Sequence, residues 1–268
     1  MQASSKSYLL AIVCVLLAMM TIQTGASFAK QLFPIVGPEG TTALRLGFSA
    51  AILCLIFKPW KHFPVASQRL PILIYGLSLG GMNILFYYAI ERIPLGIGVA
   101  LEFTGPLAVA LFSSRRKRDL FWVACAVAGI LLLLPDMKGQ DSLDPVGVVL
   151  ALAAGACWAG YILFGKKTGS QSSGGATVAM GMTISAIVLV PYGGISQSAA
   201  FTWDIIPLGI AIAVLSSALP YTLEMITLRN MSPQGFSIVM SLEPAIAALA
   251  GLVILGELLS IWQWLAIL

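Results

Sequence analysis

Four ionisable side chains stand inside long apolar runs of this sequence: Arg45, Glu102, Glu224 and Glu243. A charge in such a run is costly unless it faces a cavity, a partner or the end of the run. Arg45 stands five residues into its run, where carboxylate binding or ion pairing and snorkelling to headgroups are both open readings. Glu224 lies near a run's end, close to Arg229, and has the same two readings. Glu102 and Glu243 fall near the middle, so for them the choice is between structural hydrogen bonding and function.

Helix-breaking residues accompany these charges. Gly105-Pro106 follows Glu102, Pro244 follows Glu243 directly, and Pro220 precedes Glu224 by one turn. A proline lacks an N–H and frees the carbonyl four residues earlier, which falls on Glu102, Ser216 and Met240. Gly80-Gly81 marks a fourth loose point. Interrupted runs in matching positions of two halves point to a transporter's central site. Further polar or aromatic groups on the same runs are candidates to line it: Gln23 and Lys30, then Asn83, Tyr87 and Tyr88. Trp158, Tyr161, Ser216, Ser217 and Tyr221 complete the set. Asn83 also reads as helix–helix glue.

The elements that must carry these residues follow from composition. Of 268 residues, 59% are hydrophobic and 10% charged, with a mean hydropathy of +0.94. Soluble domains carry about 25% charged residues, so this chain lacks the charge to coat a soluble surface. Ordinary soluble enzymes, disordered chains and nucleic-acid modules are excluded, and a polytopic membrane protein remains. Apolar runs predict ten spans: Tyr8–Ser27, Thr41–Phe57, Leu70–Ile90, Leu95–Ser113, Leu120–Pro135, Pro145–Gly165, Ala176–Tyr192, Ile205–Leu228, Gln234–Leu255 and one opening at Ile261 that is cut off at Leu268. Lys6 and Ser27-Phe28-Ala29 mimic a signal peptide, but the apolar stretch is long for one and further spans follow.

Charge placement predicts orientation. With the amino terminus inside, eleven Lys and Arg fall on cytoplasmic breaks and three, Lys30, Arg92 and Lys138, on outer ones. Excess Lys and Arg mark the cytoplasmic side, so both termini are expected there. Arg115-Arg116-Lys117-Arg118 reads as a topology anchor rather than a nucleic-acid patch. Cys14, Cys54, Cys125 and Cys157 form no C-x-x-C pair and His62 is the one histidine, so neither a disulfide framework nor a metal site is expected. The chain contains no G-x-x-x-x-G-K-[ST] phosphate loop.

The two halves align weakly but in consistent order. Ile93-Pro94-Leu95-Gly96 faces Ser232-Pro233-Gln234-Gly235, and the stretch from Glu102 faces the one from Glu243. Five spans per half is an odd number, so matching spans cross in opposite senses. The expected fold is all-α, a 5+5 inverted repeat over residues 1–138 and 139–268 with an incomplete tenth helix.

The runs beginning Gly80-Gly-Met-Asn-Ile-Leu-Phe-Tyr-Tyr, Ala100-Leu-Glu-Phe-Thr-Gly-Pro and Met240-Ser-Leu-Glu-Pro-Ala resemble the EamA-type drug/metabolite transporters. With Gly25-Ala-Ser-Phe-Ala-Lys and Thr42-Ala-Leu-Arg-Leu they look like the bacterial inner-membrane threonine/homoserine exporters. The resemblance implies no enzyme and no cofactor, but export of small amino acids across the inner membrane by proton antiport. The partners would be an amino-acid substrate, protons and membrane lipid, with monomer or homodimer open. Glu102 or Glu243 would meet the substrate ammonium; Arg45 and Tyr hydroxyls its carboxylate; Asn83, Ser216 or Ser217 a side-chain hydroxyl. Glu102 stands first and Glu243 second as proton carrier. The main rival is efflux of drugs or lipophilic cations, which Arg45 facing the lumen would oppose. A passive channel is a further alternative. An intramembrane protease lacks a buried Ser–His or Asp–Asp pair in this sequence.

Overall fold

A computed structural model describes residues 5–61, 64–113, 143–169, 174–196, 202–230 and 239–267. The expected fifth span, the Arg115–Arg118 run, His62, Cys125, Lys138 and the start of the ninth span lie outside the described residues.

The first element, α1 (Ser5–Phe57), carries two of the expected spans. Its 53 residues would extend about 80 Å if straight, over twice the ~30 Å hydrocarbon thickness. Gly37 interrupts it with φ 66° and ψ 170°, between Pro34 and Pro38. A positive φ suits a residue without a Cβ. Gln23 before this point and Arg45 after it line one cavity, whereas 22 residues of straight helix would hold them ~33 Å apart. The chain therefore folds back at Gly37.

After a 3-10 turn at Pro59–Lys61 comes α2 (Ala66–Arg92), an unbroken 27-residue helix. The break expected at Gly80-Gly81 is absent. These glycines instead admit neighbours: a Cβ on Gly80 would meet Ser185 and Leu189, and one on Gly81 would meet Cys157 Sγ at 3.1 Å. The fourth span divides at Phe103 into α3 (Leu95–Glu102) and α4 (Thr104–Ser113). Then follow α5 (Pro145–Gly169) and α6 (Gly174–Ser196). The eighth span opens with a 3-10 turn at Trp203–Ile205 and continues as α7 (Ile206–Ala213). A π-helical turn at Val214–Ala218 leads into α8 (Leu219–Asn230). α9 (Glu243–Ala250) also runs into a π turn, Gly251–Leu255, and α10 (Ile261–Ile267) ends the described chain.

Among the described residues five helices are long and apolar enough to cross a membrane, the α1 element being one of them. The packing fits that solvent. Leu55, Val149, Ile187 and Val253 point outward while Gln23, Arg45, Glu102 and Glu243 are buried. Lipid can solvate the first group and offers no partner to the second. Small residues let the helices close. Ser185 Oγ donates to the Gly76 carbonyl at 2.6 Å, joining α6 to α2 as cross-helix hydrogen bonds do in membranes.

One end of the bundle is tied by charge. Arg92 donates to Asp144 Oδ2 at 3.0 Å, and Asp144 Oδ1 accepts the Val146 N–H at 2.8 Å, capping α5 behind Pro145. The Arg92 hydrogen bond holds the Asp144 carboxyl below the usual carboxylate range. At the same end Lys30 pairs with Glu257 at 2.5 Å, and Glu257 Oε2 accepts the Leu95 N–H at 2.8 Å. One carboxylate thus neutralises Lys30 and caps α3, joining residues 227 positions apart. Glu257→Ala removes both and is expected to lower unfolding stability by about 1–2 kcal/mol. Thermal unfolding in detergent checks this, and an unchanged midpoint counts against it.

Candidate functional site

The fold gathers buried Gln23, Arg45, Asn83, Glu102, Glu224 and Glu243 around one cavity. Its space is about 500 Å³, counting its open side, and its walls come from both halves of the chain. α1 gives Gln23 and Arg45, α2 gives Asn83, and α3 ends on Glu102 at its wall. α5 adds Trp158, α8 adds Tyr221 and Glu224, and α9 starts there with Glu243. Ile22, Ala26, Met82 and Phe86 supply apolar lining.

Arg45 is 5% exposed and turns inward, which settles the snorkelling alternative against it. Its guanidinium is held on three sides. Nε donates to Ser217 Oγ at 2.8 Å, Nη1 to the Tyr87 hydroxyl at 3.1 Å, and Nη2 to the Ser216 carbonyl at 2.6 Å. Its cation also lies 5.3 Å from the Tyr87 ring centre, a favourable arrangement. The π turn explains the third bond. Pro220 and the widened turn leave the Ser216 carbonyl without the usual helical donor, and the guanidinium takes it. Gly25 lets this turn sit against α1, since a Cβ there would collide with Ser216.

The three glutamates reach the cavity by different routes. Glu102 closes α3 just before the Phe103 turn. Gly155 on α5 packs against that break; a Cβ on it would stand 2.6 Å from the Glu102 carbonyl. Glu102 interacts electrostatically with both Arg45 and Glu243. Glu243 opens α9 ahead of Pro244, in the first turn where a helix favours a negative charge. Gln23 Nε2 donates to Glu243 Oε1 at 3.0 Å. Glu224, 7% exposed, is buried rather than directed to a headgroup.

The remaining expected residues are distributed more widely. Tyr87, Ser216 and Ser217 hold Arg45 from behind. Tyr161 stacks on Tyr75, ring centres 5.0 Å apart, and packs near Tyr221 in the apolar core rather than lining the cavity. Tyr88 turns away to share a 2.9 Å hydrogen bond with Tyr192. Lys30 is engaged by Glu257 outside the cavity. Pro106 falls in the first turn of α4, Pro220 and Pro244 in the first turns of α8 and α9. The Gln23–Glu243 pairing across 220 residues has no sequence signal beyond the polarity of Gln23. Among the described residues no group of His, Cys, Asp or Glu could hold a metal ion.

A helical bundle with an apolar exterior, enclosing a cavity of opposed charges assembled at helix breaks, defines a membrane transporter. Comparison with known proteins agrees. The model of the EamA-like transporter family matches residues 9–134 and 145–268, and the chain belongs to that family. The threonine/homoserine exporter RhtA of Salmonella typhimurium strain LT2 is 55% identical over 259 residues, covering 96% of this chain and 88% of its own length. That of Escherichia coli K12 is 54% identical over the same shares. An uncharacterized transporter of Bacillus subtilis strain 168, YwfM, is 29% identical over 87% of this chain and 83% of its own. A solved structure described only as the crystal structure of a protein shares the fold, with TM-score 0.64, 16% identity, and coverage of 98% of this chain and 93% of that one.

Proposed function

We propose that this chain exports small amino acids, threonine, homoserine and analogues, across a bacterial inner membrane in exchange for protons. The observation that carries the reading is the cavity itself, which Arg45 lines together with Glu102 and Glu243. A zwitterion needs both signs in one small space, with its carboxylate toward the guanidinium and its ammonium toward a glutamate. The printed function of the relatives at 54% and 55% identity supports the same substrate class.

The architecture proposed with it is ten helices in two inverted five-helix repeats, residues 1–138 and 139–268, with both termini cytoplasmic. Such repeats carry their site at the repeat interface and exchange its access from side to side. Gln23, Arg45 and Glu102 of the chain's first half and Tyr221, Glu224 and Glu243 of its second line one cavity, which supports that reading. Drug or lipophilic-cation efflux fits less well, because a buried guanidinium in the lumen repels a cation.

Counterflow in proteoliposomes tests this. Vesicles preloaded with threonine are expected to accumulate radiolabelled threonine and homoserine saturably. Absence of exchange, together with trans-stimulated uptake of a lipophilic cation, would transfer the protein to the drug-efflux class. Linear, unsaturable flux would make it a channel.

A further inference from the structure

Among the described residues, the cavity keeps two hydrogen-bond acceptors without donors. Gln23 spends its Nε2 on Glu243 Oε1 at 3.0 Å, while Gln23 Oε1 and Glu243 Oε2 have no hydrogen-bond partner among the described residues. Both side chains line the cavity, and they are only 2% and 4% exposed. A buried acceptor left unmatched is unfavourable, so a ligand that brings donors to both gains on binding. Two of the donor side chains that line the cavity are engaged with other partners. Arg45 bonds Ser217, Tyr87 and the Ser216 carbonyl, and Asn83 Nδ2 bonds back to the Leu79 carbonyl at 2.7 Å. Ser216 Oγ, the third acceptor of this kind, is packed against Gly25 and does not line the cavity.

The two free oxygens differ in chemistry. Glu243 Oε2 belongs to a carboxyl and suits an ammonium. Gln23 Oε1 is a neutral amide oxygen, which accepts from a hydroxyl without adding charge. Because the two side chains are bonded to each other, the groups they receive must be close together on the ligand. The ammonium and hydroxyl of a short hydroxy amino acid are two or three carbons apart, which meets that condition.

We propose that Gln23 Oε1 is the specificity-determining acceptor for the side-chain hydroxyl of the exported amino acid, whose ammonium rests on Glu243 Oε2. This rests on the amino-acid export reading above. It also moves hydroxyl recognition away from Asn83, whose Nδ2 bonds the Leu79 carbonyl, and from Ser216 and Ser217, which do not line the cavity.

The test compares threonine with 2-aminobutyrate, the same skeleton without the hydroxyl, in counterflow by the full chain. The wild type is expected to prefer threonine about tenfold, the worth of one good hydrogen bond. Gln23→Met, close in volume, also loses the bond to Glu243 and is expected to slow both substrates, but threonine about tenfold more than 2-aminobutyrate, which brings their ratio near one. Equal slowing of both substrates with the ratio kept would show a purely structural role and overturn the proposal. A wild type that exchanges neither amino acid refutes the export reading instead. If Gln23→Met does not fold, melting shifts of the wild type decide: equal stabilisation by threonine and 2-aminobutyrate overturns the proposal, and greater stabilisation by threonine supports it.

Discussion

Arg45→Ala is expected to lower threonine exchange in proteoliposomes by about a hundredfold or more, the equivalent of about 3 kcal/mol. The size follows from what the guanidinium holds. It bonds Ser217, Tyr87 and the Ser216 carbonyl and is the buried cation facing Glu102. Removing it leaves the glutamates of the cavity without that countercharge and the freed carbonyl without a donor, both costly in a low-dielectric interior. It also removes the group proposed to dock the substrate carboxylate. Arg45→Lys restores the charge but not the planar fork that serves three directions at once. Its exchange is expected to stay about tenfold or more below wild type. Insertion into the membrane and detergent melting, measured in parallel, separate lost transport from lost folding. Near-normal exchange by Arg45→Ala would exclude the residue from substrate binding.

Much of this arrangement was legible in the sequence because lipid makes polar residues conspicuous. Arg45, Glu102, Glu224 and Glu243 stand out within apolar runs, and the helix breaks beside Glu102, Glu224 and Glu243 follow from proline's missing N–H. Gly80-Gly81 misled, because two glycines read equally as a break or as a packing surface. Only the neighbours Ser185 and Cys157, remote in sequence, decide between them. Tyr88 and Tyr161 show the same limit. Helical spacing places an aromatic residue on a span but does not fix which neighbour its face will meet. The reversal at Gly37 was expected as two separate spans, yet the structure needs a single non-helical residue to make it. The pairings Gln23–Glu243 and Lys30–Glu257 join residues more than 200 positions apart, and one sequence holds no trace of them.

Glu102→Gln is the second substitution with a large expected effect, which under the proposed proton exchange falls on coupling rather than binding. Among the described residues, three carboxyl groups and one guanidinium line the cavity. If all were ionised, two negative charges would be left in excess, and each unpaired ion out of water is penalised by several kcal/mol. Protons or a substrate ammonium must therefore make up the difference, and the two can replace one another. Glu102 is the proposed group for that exchange, since it interacts electrostatically with both Arg45 and Glu243. Its charge changes the attraction of the site for both ends of a zwitterion. Glutamine keeps the shape and removes the proton site. Threonine–threonine counterflow, which needs no net proton movement, is expected to fall less than about fivefold in Glu102→Gln. Transport driven by an imposed pH gradient is expected to lose its dependence on that gradient. A variant that keeps the full dependence removes Glu102 from coupling, and the same pair of measurements on Glu243→Gln then tests the other carboxyl. Loss of counterflow and gradient-driven transport together, with the protein still folded, would instead place Glu102 in substrate binding.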